Sequence, residues 1–184
     1  MLHLPWNWAS QMSIMVRALR SIGVEARGLA LWGSPMADYS GFEVFHLPAR
    51  RKHPMRGLLR TALWCLAFLR AVRWADLIHW HAGVPVLPGH LCLRYIAWLK
   101  KPRLVGFCGT DIRIPEVAAR DNIYVKGAYE RGEMKPGTRA GPLAAQAVFA
   151  RCGFRPILRR FELLQYLDRQ LFSSVFLLPQ PVLL

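Results

Sequence analysis

Acidic residues are scarce in this chain of 184 residues. Asp and Glu number 11 against 25 Lys and Arg, which gives a formal net charge of +14. A field of this sign attracts phosphates on nucleic acids, anionic lipids or nucleotide-activated substrates, and the charge by itself does not choose among them. The basic residues cluster at 50–60, 100–103 and 151–160. For such clusters the plain interpretation, a solvated surface, stays open.

Long hydrophobic runs and paired cysteines are missing as well. The most apolar stretches, Thr61–Leu69 and Leu171–Leu184, are too short or are interrupted by proline, and the first residues lack the basic and apolar regions of a secretory signal. No C-x-x-C pair is present, so we expect free thiols at the four cysteines, Cys65, Cys92, Cys108 and Cys152. These absences predict a cytoplasmic chain, with peripheral contact to the inner face of the membrane as an open alternative.

Phosphate-binding motifs are absent too. The sequence contains no G-x-x-x-x-G-K-[ST], and the turn Pro5–Ala9 after the first apolar segment has no glycine. ATPase, GTPase and NAD-dependent classes are therefore disfavoured. We expect neither a metal ion nor a cofactor.

What is present is an alternation of short strands and longer helices. Strands are predicted at Met1–Leu4, Val24–Leu31, Phe42–Leu47, Asp76–His81, Arg103–Phe107, Phe154–Leu158 and Val175–Leu178. Ser10 is the predicted N-cap of a first helix, and Gly57–Trp74 is a predicted helix in which Leu59, Leu63, Leu66 and Leu69 or Arg70 recur at helical spacing. Further helices are predicted to end near Leu99 and to cover Leu143–Cys152 and Phe161–Leu167. The region 114–141 is predicted to be irregular with one short helix, because Pro115, Pro136 and several glycines interrupt the pattern. This order predicts an α/β protein with a Rossmann-like open parallel sheet and helices on both faces.

Ligands of such sheets bind at the carboxyl ends of the strands. That rule selects the loops Pro5–Ser10, His79–Gly83 and Cys108–Arg113. On a strand, His79 and His81 point to one side and could form a metal site with Asp111, although the sequence fixes no third ligand. Cys108 and His81 could form a thiolate dyad. The turn Gly109–Asp111 could offer backbone N–H groups to an anion, or Asp111 could simply cap the segment that follows.

The order of three segments resembles the N-terminal domain of GT-B-fold glycosyltransferases of the family 4 type. The segments are LRSIGVEAR at 19–27, ADLIHWHAG at 75–83 and KPRLVGFCGTDIR at 101–113, and the resemblance covers nearly the whole chain. It implies one half of a GT-B fold at 1–178, with 179–184 as the start of the hinge to a donor-binding domain that the sequence does not contain. The chain is then a fragment, a split transferase with a partner chain, or a degenerate product, and is expected to be inactive without a second domain.

The resemblance also implies a chemistry and a set of roles. Such enzymes move a sugar from a nucleotide-sugar to a glycan or lipid-linked acceptor with retention and without a metal, through electrostatic stabilisation of the departing phosphate. The catalytic candidates are Asp111 and Cys108, the latter where many relatives have His. The substrate-binding candidates are Asn7, Trp8, His79, His81, Gly109, Thr110 and Arg113. Asn7 and Thr110 would bond sugar hydroxyls, Asp111 would orient the acceptor or its own loop, and Arg113 would favour phosphate.

Two other hypotheses compete. A non-enzymatic module for nucleic acid would explain the charge, but it predicts a continuous basic face with interleaved aromatics, whereas the clusters here are separated, so we do not expect nucleic acid as the partner. The helix Gly57–Trp74 could lie on an anionic membrane, because Arg56, Arg60, Arg70 and Arg73 flank an apolar stripe with Trp64 and Trp74. The alternative for that helix is a core helix packed on the sheet.

Overall fold

The computed structural model describes residues 1–7, 10–31, 42–44, 54–84, 86–109, 111–133 and 139–178. Strands are β1 (Leu2–Leu4), β2 (Arg27–Ala30), β3 (Phe42–Val44), β4 (Ile78–His81), β5 (Arg103–Phe107), β6 (Arg155–Leu158) and β7 (Phe176–Leu177). Helices are α1 (Gln11–Ser21), α2 (Pro54–Trp74), α3 (Leu91–Trp98), α4 (Pro115–Asp121), α5 (Ile123–Glu130) and α6 (Ala140–Arg151). Short 3-10 segments cover Pro88–His90 and Phe161–Tyr166.

The strands form an open parallel sheet, so the predicted α/β, Rossmann-like class is confirmed. Their order is β3-β2-β1-β4-β5-β6-β7, and the resolved pairings of β1 with β2 and β4, of β2 with β3 and of β6 with β7 are all parallel. The chain builds outwards from β1 to β3 and then returns to add β4 on the other side of β1. This reversal is the topological switch point at which α/β sheets bind their ligands.

The contacts divide the chain into two compact units. The first contains Met1–His81 and Tyr95–Leu104, and the second contains Ala82–Arg94 and Val105–Pro179. The predicted single domain at 1–178 stays a prediction, and the predicted hinge at 179–184 lies outside the described residues. No helix among the described residues is long and apolar enough to cross a membrane.

The core of the first unit is aliphatic and tryptophan-rich. Leu4, Val16, Trp64, Ile78 and Trp80 are all 0–1% exposed. The inner face of α2 supplies its bulk, because Trp64, Phe68 and Val72 recur at the i, i+4, i+8 spacing of one helix face. Lys101 closes the far end of α2 by donating from Nζ to the carbonyls of Val72 and Ala75 at 3.1 and 2.6 Å. One residue of a basic cluster therefore serves as a helix C-cap.

The core of the second unit is aromatic. Phe149 of α6 packs edge-on against Phe107 and Phe154, with ring centroids 6.2 and 5.2 Å apart, and Phe172 meets Phe107 at 6.4 Å. Gln146, buried on the same helix, donates to the carbonyl of Tyr166 at 2.9 Å and accepts from the N–H of Asp168 at 2.8 Å. The loop after the second 3-10 segment is thereby fixed to α6.

Some predicted elements needed correction. Of the region 114–141, the described residues 114–133 contain two helices, α4 and α5, instead of one short helix, because Pro115 begins α4 at a position where proline is favourable. Asn122 separates the two and caps α5 by accepting from the N–H groups of Tyr124 and Val125. The predicted last strand shrinks to Phe176–Leu177. The short helix predicted at Phe161–Leu167 is present as a 3-10 helix at Phe161–Tyr166.

Candidate functional site

The strongest polar arrangement lies in the second unit, in the loop after β5. The Asp111 carboxylate accepts from the backbone N–H of Cys108 at 3.0 Å and of Gly109 at 2.8 Å through Oδ1. Its Oδ2 accepts from the N–H of Gly83 at 2.6 Å. One side chain thus joins the loop after β4 to the loop after β5. Charge-assisted bonds of this kind are among the strong ones in proteins, so the loop is preorganised.

Two glycines of this arrangement have no substitute. A Cβ on Gly83 would lie 2.5 Å from the ring of Phe107, which is too close for any side chain. Gly109 has a φ of +145°, a region of backbone conformation that L-residues rarely adopt. The loop therefore depends on both glycines as well as on Asp111.

Arg113 lies on the open side of the same loop. Its guanidinium would be 3.6 Å from a Cβ on Gly109, and it pairs with Glu162 at 3.1 Å. Arg160 approaches the same carboxylate at 3.7 Å. The Arg113 side chain is 39% exposed, so it can exchange Glu162 for another anion, because exposed ion pairs contribute little.

The Cys108 thiol is held in its protonated form. Burial of the sulfur, followed by the charge of Asp111, raises the pKa of Cys108 to about 11, against smaller opposing effects of Arg159 and the Ala82 backbone. Although the residue as a whole is exposed, its sulfur lies 3.7 Å from the carbonyl oxygen of Gly106. The nucleophile is the thiolate, so the dyad hypothesis is disfavoured at neutral pH.

Arg159 belongs to this site and was missed as a site residue from the sequence. It directly follows β6, at the carboxyl end of a strand, and its charge acts on Cys108. Burial lowers the pKa of Arg159, while Cys108 opposes that shift. Its position directly after a predicted strand is the signal that could have found it, because ligands of parallel sheets bind at the carboxyl ends of the strands.

An open depression runs along the 3-10 segment beside the Arg113–Glu162 pair. It has a volume of about 450 Å³, and the residues that line it are Phe161, Glu162, Leu164, Gln165 and Arg169. Phe161 is 74% exposed. An exposed aromatic ring next to charged and amide side chains can bind the apolar face of a sugar.

Asn7, a candidate site residue in the first unit, accepts hydrogen bonds from the backbone. Its Oδ1 accepts from the N–H groups of Met12 and Ser13 at 3.0 and 3.3 Å. Asn7 therefore supplies the N-terminal cap of α1, a role that the sequence suggested for Ser10, whose side chain makes no cap bond. Its predicted bond to a sugar stays a prediction. Trp8 and Thr110 lie outside the described residues.

His79 and His81 are in the core of the first unit. Their exposed fractions are 0% and 1%, and both rings lie against His3, with centroids 5.1 and 5.2 Å from its ring. Substrate contact by the pair stays a prediction. The partner was missed from the sequence, although the pairing of β1 with β4 in a Rossmann-like sheet places His3 directly opposite His79.

The structure therefore collects Cys108, Gly109, Asp111 and Arg113 at one loop and gathers His79 and His81 with His3 elsewhere. Comparison of the chain with family models, with curated proteins and with solved structures finds no match.

Proposed function

We propose that this chain is the acceptor-side domain of a retaining glycosyltransferase, working with a donor-binding domain in cis or on a partner chain. The acceptor would be a glycan or a lipid-linked sugar, and the donor a nucleotide-sugar. Asp111 would hold the loop rigid, Arg113 would bind phosphate, and Phe161 would support a sugar ring. Cys108 would contribute as a neutral hydrogen-bonding group.

One observation carries the proposal: a single carboxylate, Asp111, locks two ligand loops of a parallel sheet while leaving Arg113 at their rim. Transfer of a sugar needs fixed positive charge near the departing phosphate. A locked loop supplies such a charge without reorganisation during the reaction. The net charge of +14 adds long-range attraction for phosphorylated substrates.

The direct test has a binding part and a transfer part. The chain is titrated with a panel of glycosyl diphosphates and the corresponding free sugars, observed by saturation-transfer NMR. We expect Arg113→Ala to weaken glycosyl diphosphate binding at least about tenfold, since a charge-assisted contact is lost, and Glu162→Gln to strengthen it by freeing Arg113. In membranes that contain both domains, Asp111→Ala should lower sugar transfer from labelled nucleotide-sugars strongly.

Arg151→Ala is the matched control, because Arg151 is an exposed arginine at the end of α6 in the same unit. If Arg151→Ala and Arg113→Ala weaken binding equally, only the overall charge matters and the site is wrong. An unchanged transfer rate in Asp111→Ala would assign this residue a purely structural role.

A second candidate function, association with an anionic membrane surface, is favoured by α2. Its outer face carries exposed leucines: Leu58, Leu59, Leu63 and Leu66 are 48–67% exposed. Arg70 and Arg73 continue this face and are exposed. A helix with leucines on its outer side and arginines beside them suits the boundary between headgroups and acyl chains. It would bring the domain to a lipid-linked acceptor.

A further inference from the structure

Three buried histidines form a cluster within the first unit. His3 comes from β1 and His79 and His81 from β4, and the parallel register pairs His3 with His79. Since side chains two residues apart on a strand share a face, His81 projects beside His79. All three are 0–1% exposed. Among the described residues this is the group of metal-ligating side chains close enough to share one ion.

The distances fit one small cation. One ring nitrogen from each histidine lies within 4.8 Å of the others, and His3 Nδ1 and His81 Nε2 are 2.9 Å apart. Zinc bound to imidazole at about 2.0–2.1 Å in tetrahedral geometry separates the ligand nitrogens by about 3.3 Å. The observed 2.9 Å contact is slightly shorter than this separation, and all three ligand nitrogens lie within 4.8 Å of one another. Small rotations of the imidazole rings would adjust these separations, because the χ2 torsion of histidine has broad minima.

The donor set selects the metal class. Three neutral imidazoles suit Zn²⁺ and the neighbouring divalent transition metals, whereas Mg²⁺ and Ca²⁺ require oxygen ligands. At present one ring donates a proton across the 2.9 Å contact. When a metal ion replaces this hydrogen bond, the donating ring stays neutral and carries its proton on its other nitrogen. Both facing nitrogens then become ligands, and the net charge of the rings does not change.

We propose that His3, His79 and His81 bind one Zn²⁺, with a water molecule as the fourth ligand, as a structural site that joins β1 to β4. The site goes beyond the proposed transfer function and does not take part in it. It would stabilise the two strands on either side of the switch point. Because structural metal is bound by the folded state only, its binding free energy adds to the free energy of unfolding.

The test is metal content with a ligand-specific readout. The chain is refolded with one equivalent of Zn²⁺ or Co²⁺ and dialysed, because the buried site is not open to a metal added later. We expect about one equivalent of Zn²⁺ to remain, a thermal midpoint that rises with Zn²⁺ concentration, and tetrahedral ligand-field absorption in the Co²⁺ form. His81→Gln should lose all three.

Two controls separate this site from adventitious binding. His90→Ala removes an exposed histidine, and Cys108→Ser removes a thiol that does not belong to the histidine cluster; both should retain one equivalent. If His81→Gln does not fold, X-ray absorption of the Zn²⁺-loaded wild-type chain decides. Three nitrogen ligands near 2.0 Å support the proposal, whereas sulfur ligands, or a wild-type chain that loses its metal on dialysis, overturn it and leave a hydrogen-bonded histidine cluster.

Discussion

At the residue scale, the loop after β5 places Asp111 and Cys108 in different chemical environments. The carboxylate is fully occupied by backbone N–H groups, which makes it an organiser of the loop. Its negative charge and the burial of the sulfur keep the neighbouring thiol protonated. In the proposed site the two catalytic candidates would therefore act in different ways: Asp111 would hold the geometry of the loop, and Cys108 would offer a weak neutral hydrogen-bond donor.

Cys108 gives a pH prediction. With a pKa of about 11, only about one thiol in a thousand is thiolate at pH 8, so alkylation should be slow there and rise about tenfold per pH unit up to pH 11. Asp111→Asn should shift this profile to lower pH, because it removes a charge that raises the pKa of Cys108. Peptide mapping by mass spectrometry after timed iodoacetamide treatment gives the rates.

An alkylation midpoint below pH 8 would contradict the prediction and reopen nucleophilic catalysis by Cys108. Cys65 is the internal reference. Burial also raises the pKa of Cys65, but Asp111 is not among the causes. Its profile should therefore not respond to Asp111→Asn.

At the element scale, α2 is apolar on two faces. The periodic leucines Leu59, Leu63 and Leu66 are the outer stripe, while Trp64 and Phe68 face the core. The core-helix interpretation is therefore right for the tryptophan face, and the leucine stripe that marks the helix in the sequence is exposed. A helix with apolar residues on its outer face as well as its inner face needs a second environment besides the core. The side chains of Arg56 and Arg60 lie outside the described part of the chain.

Sedimentation with liposomes tests that environment. We expect the chain to bind vesicles rich in anionic lipid at low salt and to release them as the salt concentration rises. The reason is that salt screens the attraction of Arg70 and Arg73 to the anionic headgroups. The double variant Leu63→Ser/Leu66→Ser should weaken binding at least about tenfold, since two leucines lose apolar burial.

Ile22→Ser/Val24→Ser provides the control for that experiment. These two apolar residues are exposed in the same unit but not on α2. Equal loss in both double variants, or equal binding to neutral vesicles, would exclude the leucine stripe as a membrane contact.

At the scale of the whole molecule, several of the basic residues behind the net charge of +14 are engaged in contacts within the chain. Lys101 and Arg103 hydrogen-bond to backbone carbonyls of their own unit. Arg27 lies 4.0 Å over the ring of Trp74. Arg113 and Arg160 share Glu162. Charges used in this way reduce the number of phosphates that the chain could contact at once.

Salt dependence separates the nucleic-acid hypothesis from the proposed binding of glycosyl diphosphates. A nucleic-acid module with 6–10 phosphate contacts loses about 10³–10⁵ in affinity between 50 and 200 mM salt. We expect weak nucleic-acid retention that vanishes over this range without strand or sequence preference, whereas glycosyl diphosphate binding through Arg113 changes less. Fluorescence anisotropy with single- and double-stranded oligonucleotides measures nucleic-acid binding, and saturation-transfer NMR at both salt concentrations measures glycosyl diphosphate binding. Sequence-selective binding that persists at 200 mM would favour the nucleic-acid module instead.

Local sequence patterns predicted the strands of the sheet well. They failed at residues whose type is compatible with two structural roles. Pro115 looked like a breaker and begins a helix. Ser10 looked like a cap, but the cap is Asn7, which reaches forward from the end of β1 to the N–H groups of Met12 and Ser13. Such bonds depend on how the chain turns after a strand, which residue type and spacing do not specify.

The sequence by itself determined the parallel α/β class, the loop containing Asp111 and the scarcity of acid, because hydrophobic period and composition are local properties. Only the tertiary structure decided which polar side chains meet. His3 joins His79 and His81 because β1 and β4 pair in register across 75 residues of sequence, and Asp111 bonds to Gly83 because two loops converge. Contacts between residues far apart in the chain follow from strand order and register, which no single segment contains.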